Sequence, residues 1–162
     1  PRCRGRGDEA RRRAPGLTVV TAPGETELAA MLATLDVARR PGTFAFVEIP
    51  GRATTELIDR SHAAVIEDGA RGTTPTLVLS VDDADAASLS IDVEMAWLTL
   101  TVEARLEAVG RSAAFSRALG DAGVPCNVLA GYRHDHLLVP ADRADSAIEV
   151  LRSLRDRSSP DG

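Results

Sequence analysis

Residues 89–102, Leu-Ser-Ile-Asp-Val-Glu-Met-Ala-Trp-Leu-Thr-Leu-Thr-Val, decide how this 162-residue chain is organised. Apolar side chains alternate at odd positions as far as Met95 and at even positions from Leu98 onward. A strand buries one face with a period of two, so this change of phase moves the apolar set to the opposite face of a sheet. A bulge near Ala96 is one explanation. The more economical explanation is that a strand over 89–93 ends one module and a second strand opens the next.

The second half of the chain follows a simple order of elements after this point. The predicted elements are a helix over 109–122, strands over 124–130 and 134–139, and a last helix over 140–154. With the strand that opens near 95 they give β-α-β-β-α, the ferredoxin-like order without its last strand. Phe115 is predicted to be buried, because it shares one helix face with Ala118 and Leu119.

The first half gives the complete order β-α-β-β-α-β when it is read from Thr43. Its predicted elements are a strand over 44–49, a helix over 53–60, strands over 63–67 and 76–79, a helix through 87 and a strand over 89–93. Ser80, with Asp83 three residues later, resembles a capping box. Upstream lie an amphipathic helix over 23–35 and a short strand at Leu17–Val20, which could supply the last strand that the second module lacks.

These patterns predict an α+β fold of two ferredoxin-like βαββαβ modules in tandem. The first module, with its leading strand and helix, is expected over 16–94 and the second over 95–156. A basic tail at 1–15 and a polar tail at 157–162 flank them, and both are expected to be disordered.

Composition excludes several classes of function. Hydrophobic residues make up 44% of the chain, which is typical of a globular protein. The net charge of −5 argues against nucleic acid as a partner, because phosphate binding needs clustered Lys and Arg. The Arg residues between positions 2 and 13 are interpreted as a solvated tail, with an anchor for RNA or anionic lipid as the weaker alternative. No apolar run is long enough for a signal peptide or a membrane span.

The two cysteines, Cys3 and Cys126, form neither a disulfide framework nor a zinc site. We therefore expect a cytoplasmic protein without a cofactor.

Several segments resemble the signature of an uncharacterised bacterial family of tandem ACT-domain proteins. They are Leu106-Glu-Ala-Val-Gly110, Ala113-Ala-Phe115, Gly123-Val-Pro-Cys-Asn-Val-Leu-Ala-Gly-Tyr132 and His134-Asp-His-Leu-Leu-Val-Pro140. The match is dense over roughly 98–151 and looser at 44–50 and 76–79. Glu103-Ala-Arg105, Arg133 and the insertion at 70–73 depart from the family pattern. The resemblance implies a regulatory protein, expected to be a homodimer, that binds an amino acid through a first β-α loop and a neighbouring strand.

The first candidate site is the start of the second module's helix, at Ala108, Val109 and Gly110. A Gly there lets backbone N–H groups approach an anion, which the helix N-terminus also attracts. The alternative is a plain turn. The next candidate is Cys126-Asn127-Val128, where Asn127 offers a donor and an acceptor to an amino-acid head group. Asn127 could instead be structural, and Cys126 and Val128 are expected to pack on the opposite face.

His134, Asp135 and His136 form the third candidate. On a strand, His134 and His136 point the same way and Asp135 points the other way, with the apolar residues. A carboxylate on an apolar face needs a partner such as a backbone amide, an Arg or a ligand amine. Asp135 and His136 are therefore candidates for ligand contact, whereas two imidazoles are too few for a metal site.

Three functions compete. The leading one is a regulatory protein that binds a small molecule, expected to be an amino acid, at a module interface. The second is a ligand-free protein–protein scaffold that uses the open sheet faces. The third is an enzyme or metal site at His134, Asp135 and His136. No G-x-S-x-G, Walker A, G-x-G-x-x-G or H-E-x-x-H spacing occurs, so we predict that the protein is not an enzyme.

Overall fold

The computed structural model describes residues 23–69, 72–101 and 110–158 as short helices and strands. In chain order these are α1 (Pro23–Ala33), β1 (Asp36–Arg39), β2 (Phe44–Glu48), α2 (Thr55–Arg60), β3 (Ala63–Gly69), β4 (Gly72–Ser80), α3 (Val81–Ala86), β5 (Met95–Thr101), α4 (Arg111–Asp121), β6 (Asn127–Ala130), β7 (Asp135–Pro140) and α5 (Ala144–Ser158). A 3-10 turn, Ala141–Arg143, leads into α5, which runs two residues past the predicted end of the second module at 156.

The described strands form one seven-stranded antiparallel sheet. Its order is β3-β4-β2-β5-β7-β6, and β1 also pairs with β5. β2 and β5 meet at one residue pair, Phe44 with Met95. This pair joins two groups of elements, which we call module one (β2, α2, β3, β4 and α3) and module two (β1, β5, α4, β6, β7 and α5). The predicted α+β fold of two ferredoxin-like modules is thus confirmed.

β1 supplies the last strand of module two, and the sequence did not reveal it. Asp36 pairs with Thr101 and Arg39 with Leu98, so β1 lies beside β5 on the side away from β7. α1 ends earlier than predicted, where Leu35 N–H donates to the Leu32 carbonyl. Val37 is the one apolar residue that β1 buries, and a single residue gives no alternating pattern. Leu17–Val20, the strand proposed for this place, lies outside the described residues.

The predicted strand over 89–93 is wrong, because this segment has no strand in the structure. Leu89 and Ile91 pack against the core of module one from an irregular segment, and Val93 is exposed. The change of phase that signalled two modules therefore marks the passage from this segment into β5, which begins at Met95.

Capping residues fix several helix ends as predicted. The Ser80 side chain accepts from Asp83 N–H at 3.1 Å, and its hydroxyl donates to the Asp83 carboxylate at 2.6 Å, which starts α3. At the end of α4, Gly123 adopts φ +68°, a left-handed conformation that glycine accepts without strain. The Gly123 and Val124 N–H groups bond back to the Gly120 and Leu119 carbonyls, so the chain leaves the helix there.

Each module has its own core between the sheet and its helices. The centre of the module two core comprises Leu98, Leu100, Phe115, Leu119, Leu137 and Leu151. The module one core comprises Ala45, Val47, Ile49, Leu77, Leu79 and Ala84. Phe115 is fully buried, as predicted. A third cluster, made of Phe44, Val78, Trp97 and Leu138, lies on the other face of the sheet, because strand side chains alternate between faces.

Over the residues that the structure describes, no helix has both the length and the apolar character needed to cross a bilayer.

Candidate functional site

The candidate site lies where the start of α4 meets the start of β7. Gly110 precedes α4 with φ +90°, a conformation that side chains with a Cβ rarely adopt. Arg111 is the first residue of α4, and Asp135 is the first residue of β7. Leu137 and Val139, which alternate with Asp135 along β7, belong to the core of module two, so the carboxylate points under the helices. The left-handed turn at Gly110 therefore directs the Arg111 side chain onto a buried carboxylate.

Arg111 and Asp135 form a buried ion pair. Arg111 Nε lies 2.8 Å from Asp135 Oδ2, and the two side chains are 16% and 2% exposed. Both atoms are inaccessible to solvent, yet among the described residues neither makes a hydrogen bond with a favourable angle. The opposite charges compensate each other, but the directional N–H···O bond that gives such pairs much of their strength is missing. The two atoms are thus paired by charge but at a poor hydrogen-bond angle.

The sequence predicted a need for a partner at Asp135 and did not name Arg111. A carboxylate within the alternating apolar set of β7 required a cation, a donor or a ligand amine, and the structure supplies the cation. Arg111 follows Gly110 directly, and a Gly-Arg step at a helix start was the available signal.

Not all of the other predicted site residues lie near the start of α4. Asn127 is exposed and pairs with Leu138, whose side chain belongs to the cluster on the opposite sheet face, so the structure does not bring Asn127 together with Gly110. Cys126 and Val128 pack against the core of module two, as predicted. Ala108 and Val109 lie outside the described residues.

His136 also faces away from Asp135. Its Nδ1 lies 3.1 Å from Thr99 Oγ1, and its ring centroid lies 5.2 Å from that of Trp97. Burial lowers the pKa of His136 below 6.5, and the neighbouring His134 and Arg40 lower it further, against an opposing effect of Asp135. His136 is therefore neutral near pH 7. It lies beside Trp97 on the sheet face opposite to Asp135.

The sheet face around Trp97 and His136 contains other residues that sequence reasoning did not identify. The Arg40 guanidinium lies 5.3 Å from the Phe44 ring centroid and 5.4 Å from that of Trp97. The His62 ring meets the Phe44 ring edge-on at 5.2 Å. Burial, then Arg40, lowers the pKa of His62. No pattern along the sequence joins these residues, because β2, β5 and the turn before β3 bring them together.

The metal hypothesis has no geometric support at His134, Asp135 and His136. Asp135 and His136 lie on opposite faces of β7. Among the described residues, no group of three or more His, Cys, Asp and Glu side chains is placed to hold a metal ion.

Comparison with known proteins agrees with this architecture. A family model of the ACT domain matches residues 92–153. A Vibrio cholerae protein of unknown function, described as a possible transport protein, is 31% identical, and the match covers 82% of this chain and 98% of that one with a TM-score of 0.70. No curated protein matches the chain.

Two more distant structures share the fold alone. An Agrobacterium tumefaciens protein is 14% identical over 75% of this chain and 89% of that one, with a TM-score of 0.58. The ligand-free regulatory subunit of aspartate kinase from Thermus thermophilus is 12% identical over 75% of this chain and 98% of that one, with a TM-score of 0.53.

The fold defines an α+β protein with ACT-like architecture, and residues 92–153 match the ACT domain. More narrowly, the chain belongs to the family of the Vibrio cholerae protein, whose length it spans almost completely.

Proposed function

We propose that this protein is a cytoplasmic regulatory protein that binds an α-amino acid at the start of α4. The observation that supports it is the Arg111–Asp135 pair, whose facing atoms are buried and make no hydrogen bond of acceptable direction. The ligand carboxylate binds the Arg111 guanidinium and the backbone N–H groups after Gly110, where the helix dipole also favours an anion. The ligand ammonium binds Asp135.

A zwitterion suits this pair because it offers one charge to each partner. Buried charges are tolerated only when they stay compensated, and inserting the ligand keeps both compensated while it supplies the missing hydrogen bonds. A simple carboxylate or a simple amine would leave Asp135 or Arg111 without its partner. The proposed site therefore selects for a ligand with both groups on one carbon.

Regulation follows from the position of the pair at a helix end. α4 contacts α5 and covers the core of module two through Phe115 and Leu119. A ligand that separates Arg111 from Asp135 changes how the start of α4 sits on β7, and so favours one arrangement of the helices over another. In the same proposal the protein is a homodimer that transmits this change to its second copy.

The test is a thermal-shift screen of the standard amino acids, followed by calorimetry with the one that raises the melting temperature most. Saturation at about 100 times Kd should add about 2.7 kcal/mol of stability. The double variant Arg111→Met/Asp135→Leu replaces the ion pair by apolar side chains, a change that often preserves a fold. It should melt as one cooperative unit and show no shift.

Arg117→Met is the matched control, since Arg117 is exposed on the same helix. It should retain the parent's shift. A double variant that still binds the amino acid with the parent's affinity would place the site elsewhere.

The scaffold remains the second candidate because of one observation. β3 lies at the end of the described sheet and exposes Ile66 at 70% and Val65 at 44%. An exposed edge strand with apolar side chains can pair with another chain. If no amino acid shifts the melting temperature, sedimentation of Ile66→Lys against the parent tests this candidate through loss of self-association.

A further inference from the structure

Module one has a cavity where module two has its ion pair. Phe44 of β2 pairs with Ser80 of β4, and Met95 of β5 pairs with Pro140 of β7. Ser80 and Pro140 therefore occupy equivalent positions on β4 and β7. Pro75 precedes Ser80 by the same number of residues as Asp135 precedes Pro140, so Pro75 occupies the position of Asp135. A residue that cannot carry charge therefore stands in module one where module two has its buried carboxylate.

The cavity has a volume of about 440 Å³. Its lining includes Arg52, Ile58, Ala64, Ile66, Pro75 and Leu77. This volume lies within the roughly 300–1,000 Å³ that is usual for small-molecule sites. Except for Arg52, these walls are apolar.

Arg52 is the charged side chain of this cavity and, like Arg111, it follows a left-handed Gly, although Arg52 precedes α2 whereas Arg111 begins α4. It follows Gly51, whose φ of +84° matches the left-handed Gly110 before Arg111. Arg52 is exposed, and no carboxylate of the described residues lies within ion-pair distance of it. The guanidinium is therefore free to bind an anion at the cavity, whereas Arg111 is held by Asp135.

We propose that this cavity binds a monocarboxylate with an apolar tail and without an ammonium group. The carboxylate binds Arg52, whose planar guanidinium can donate two parallel hydrogen bonds to it. The tail lies against Ala64, Ile66 and Leu77 and leaves water. An α-ammonium group would lose its hydration beside Pro75 and find no anion among the described residues that line the cavity, so the site discriminates against amino acids. This site goes beyond the amino-acid site of module two and is independent of it.

Three probes with one carbon skeleton test the proposal. They are 3-phenylpropanoate, phenylalanine, which adds an ammonium group, and 3-phenylpropan-1-ol, which lacks the carboxylate. Methyl NMR of the full chain should show saturable shifts at Ala64, Ile66 and Leu77 with 3-phenylpropanoate. The alcohol loses the charge-assisted contact with Arg52, and phenylalanine must desolvate its ammonium group, so each should bind there at least about tenfold more weakly.

Two variants identify the contacts. Arg52→Gln should weaken 3-phenylpropanoate about five- to tenfold and leave the alcohol unchanged. Ala64→Trp fills the cavity and should abolish binding of all three probes there. Arg117→Gln, an exposed Arg outside the cavity, should bind as the parent does, and a thermal melt checks that each variant is folded.

Three results would overturn the proposal: equal affinity of phenylalanine and 3-phenylpropanoate, an Arg52→Gln variant that binds as the parent does, or shifts confined to methyl groups of module two. The first two results do not bear on the amino-acid site, whose test uses Arg111 and Asp135. Conversely, failure of the amino-acid screen leaves this cavity and its Arg52 contact unaffected.

Discussion

The two modules use one β-α framework for opposite chemistry. In module two, Arg111 follows a left-handed Gly and forms an ion pair with the buried Asp135. In module one, Arg52 also follows a left-handed Gly but is exposed, Pro75 takes the place of the carboxylate, and there is a cavity of about 440 Å³. One position on the third strand thus holds a buried, ion-paired carboxylate in module two and an apolar residue in module one.

The first helix of each module also differs in length and in the number of residues that it buries. α4 has 11 residues and buries Phe115 and Leu119, whereas α2 has six residues and buries none. Burial of apolar area is the main favourable term in folding, so module two should contribute more of the stability of the chain. The predictions below test this difference, starting with the largest effect.

Phe115→Ala should lower the free energy of unfolding by about 3–5 kcal/mol, because it empties a fully buried position. Ile58→Ala, the comparison on α2, should cost less than about 1 kcal/mol, since Ile58 is half exposed. Urea unfolding measures both. Similar losses for the two variants would mean that the helices contribute equally.

Arg111→Met should cost about 3 kcal/mol, since it leaves the Asp135 carboxylate buried without a cation. Arg52→Met should change the stability by less than about 0.5 kcal/mol, because Arg52 is exposed. The same unfolding experiment applies. The difference between the modules disappears if Arg52→Met is as costly as Arg111→Met.

Pro75→Asp should convert the ligand preference of module one toward that of module two. A carboxylate at this position gives an α-ammonium group its missing partner and repels a bare carboxylate. Methyl NMR at Ala64, Ile66 and Leu77 should show the ratio of phenylalanine to 3-phenylpropanoate affinity rise by about tenfold or more. An unchanged ratio in a folded Pro75→Asp variant would show that this residue does not determine the preference.

The smallest effect concerns the two histidines beside Trp97, one from each module. Burial is the main cause that lowers the pKa of both His62 and His136 below 6.5. The unfolded chain therefore binds more protons just below pH 6.5, so stability should fall as the pH drops from 7 through 6.5 toward the folded-state pKa values. Unfolding of His62→Gln and His136→Gln across this window should each show a shallower slope than the parent. A parent stability that rises in this direction would contradict the assignment.

Sequence patterns predicted the elements with strong local signals. The Ser80–Asp83 cap, the Phe115 stripe of α4 and the end of that helix at Gly123 all depend on neighbouring residues, and the structure has them as predicted. β1 escaped prediction because its burial depends on pairing with the distant β5.

The site was predictable in part for the same reason. Asp135 stood out because a carboxylate interrupts an apolar alternation, which is a local signal. Its partner Arg111 lies on another element, and the face that Asn127 occupies depends on the pairing of β6 with β7. Tertiary structure determines both of these features, and no regular spacing of residues along a single sequence indicates them.

The position of β1 has a consequence for how the chain folds. β1 is synthesised before all of module one, yet its partner β5 follows module one, so the β1–β5 pairing closes a loop that contains the whole of module one. Closing a long flexible loop costs conformational entropy, and non-local pairs of this kind slow folding. When β2 and β4 have already paired, the ends of module one are fixed and the free length of that loop is much shorter. We therefore expect module one to form first and to serve as the template on which module two is completed.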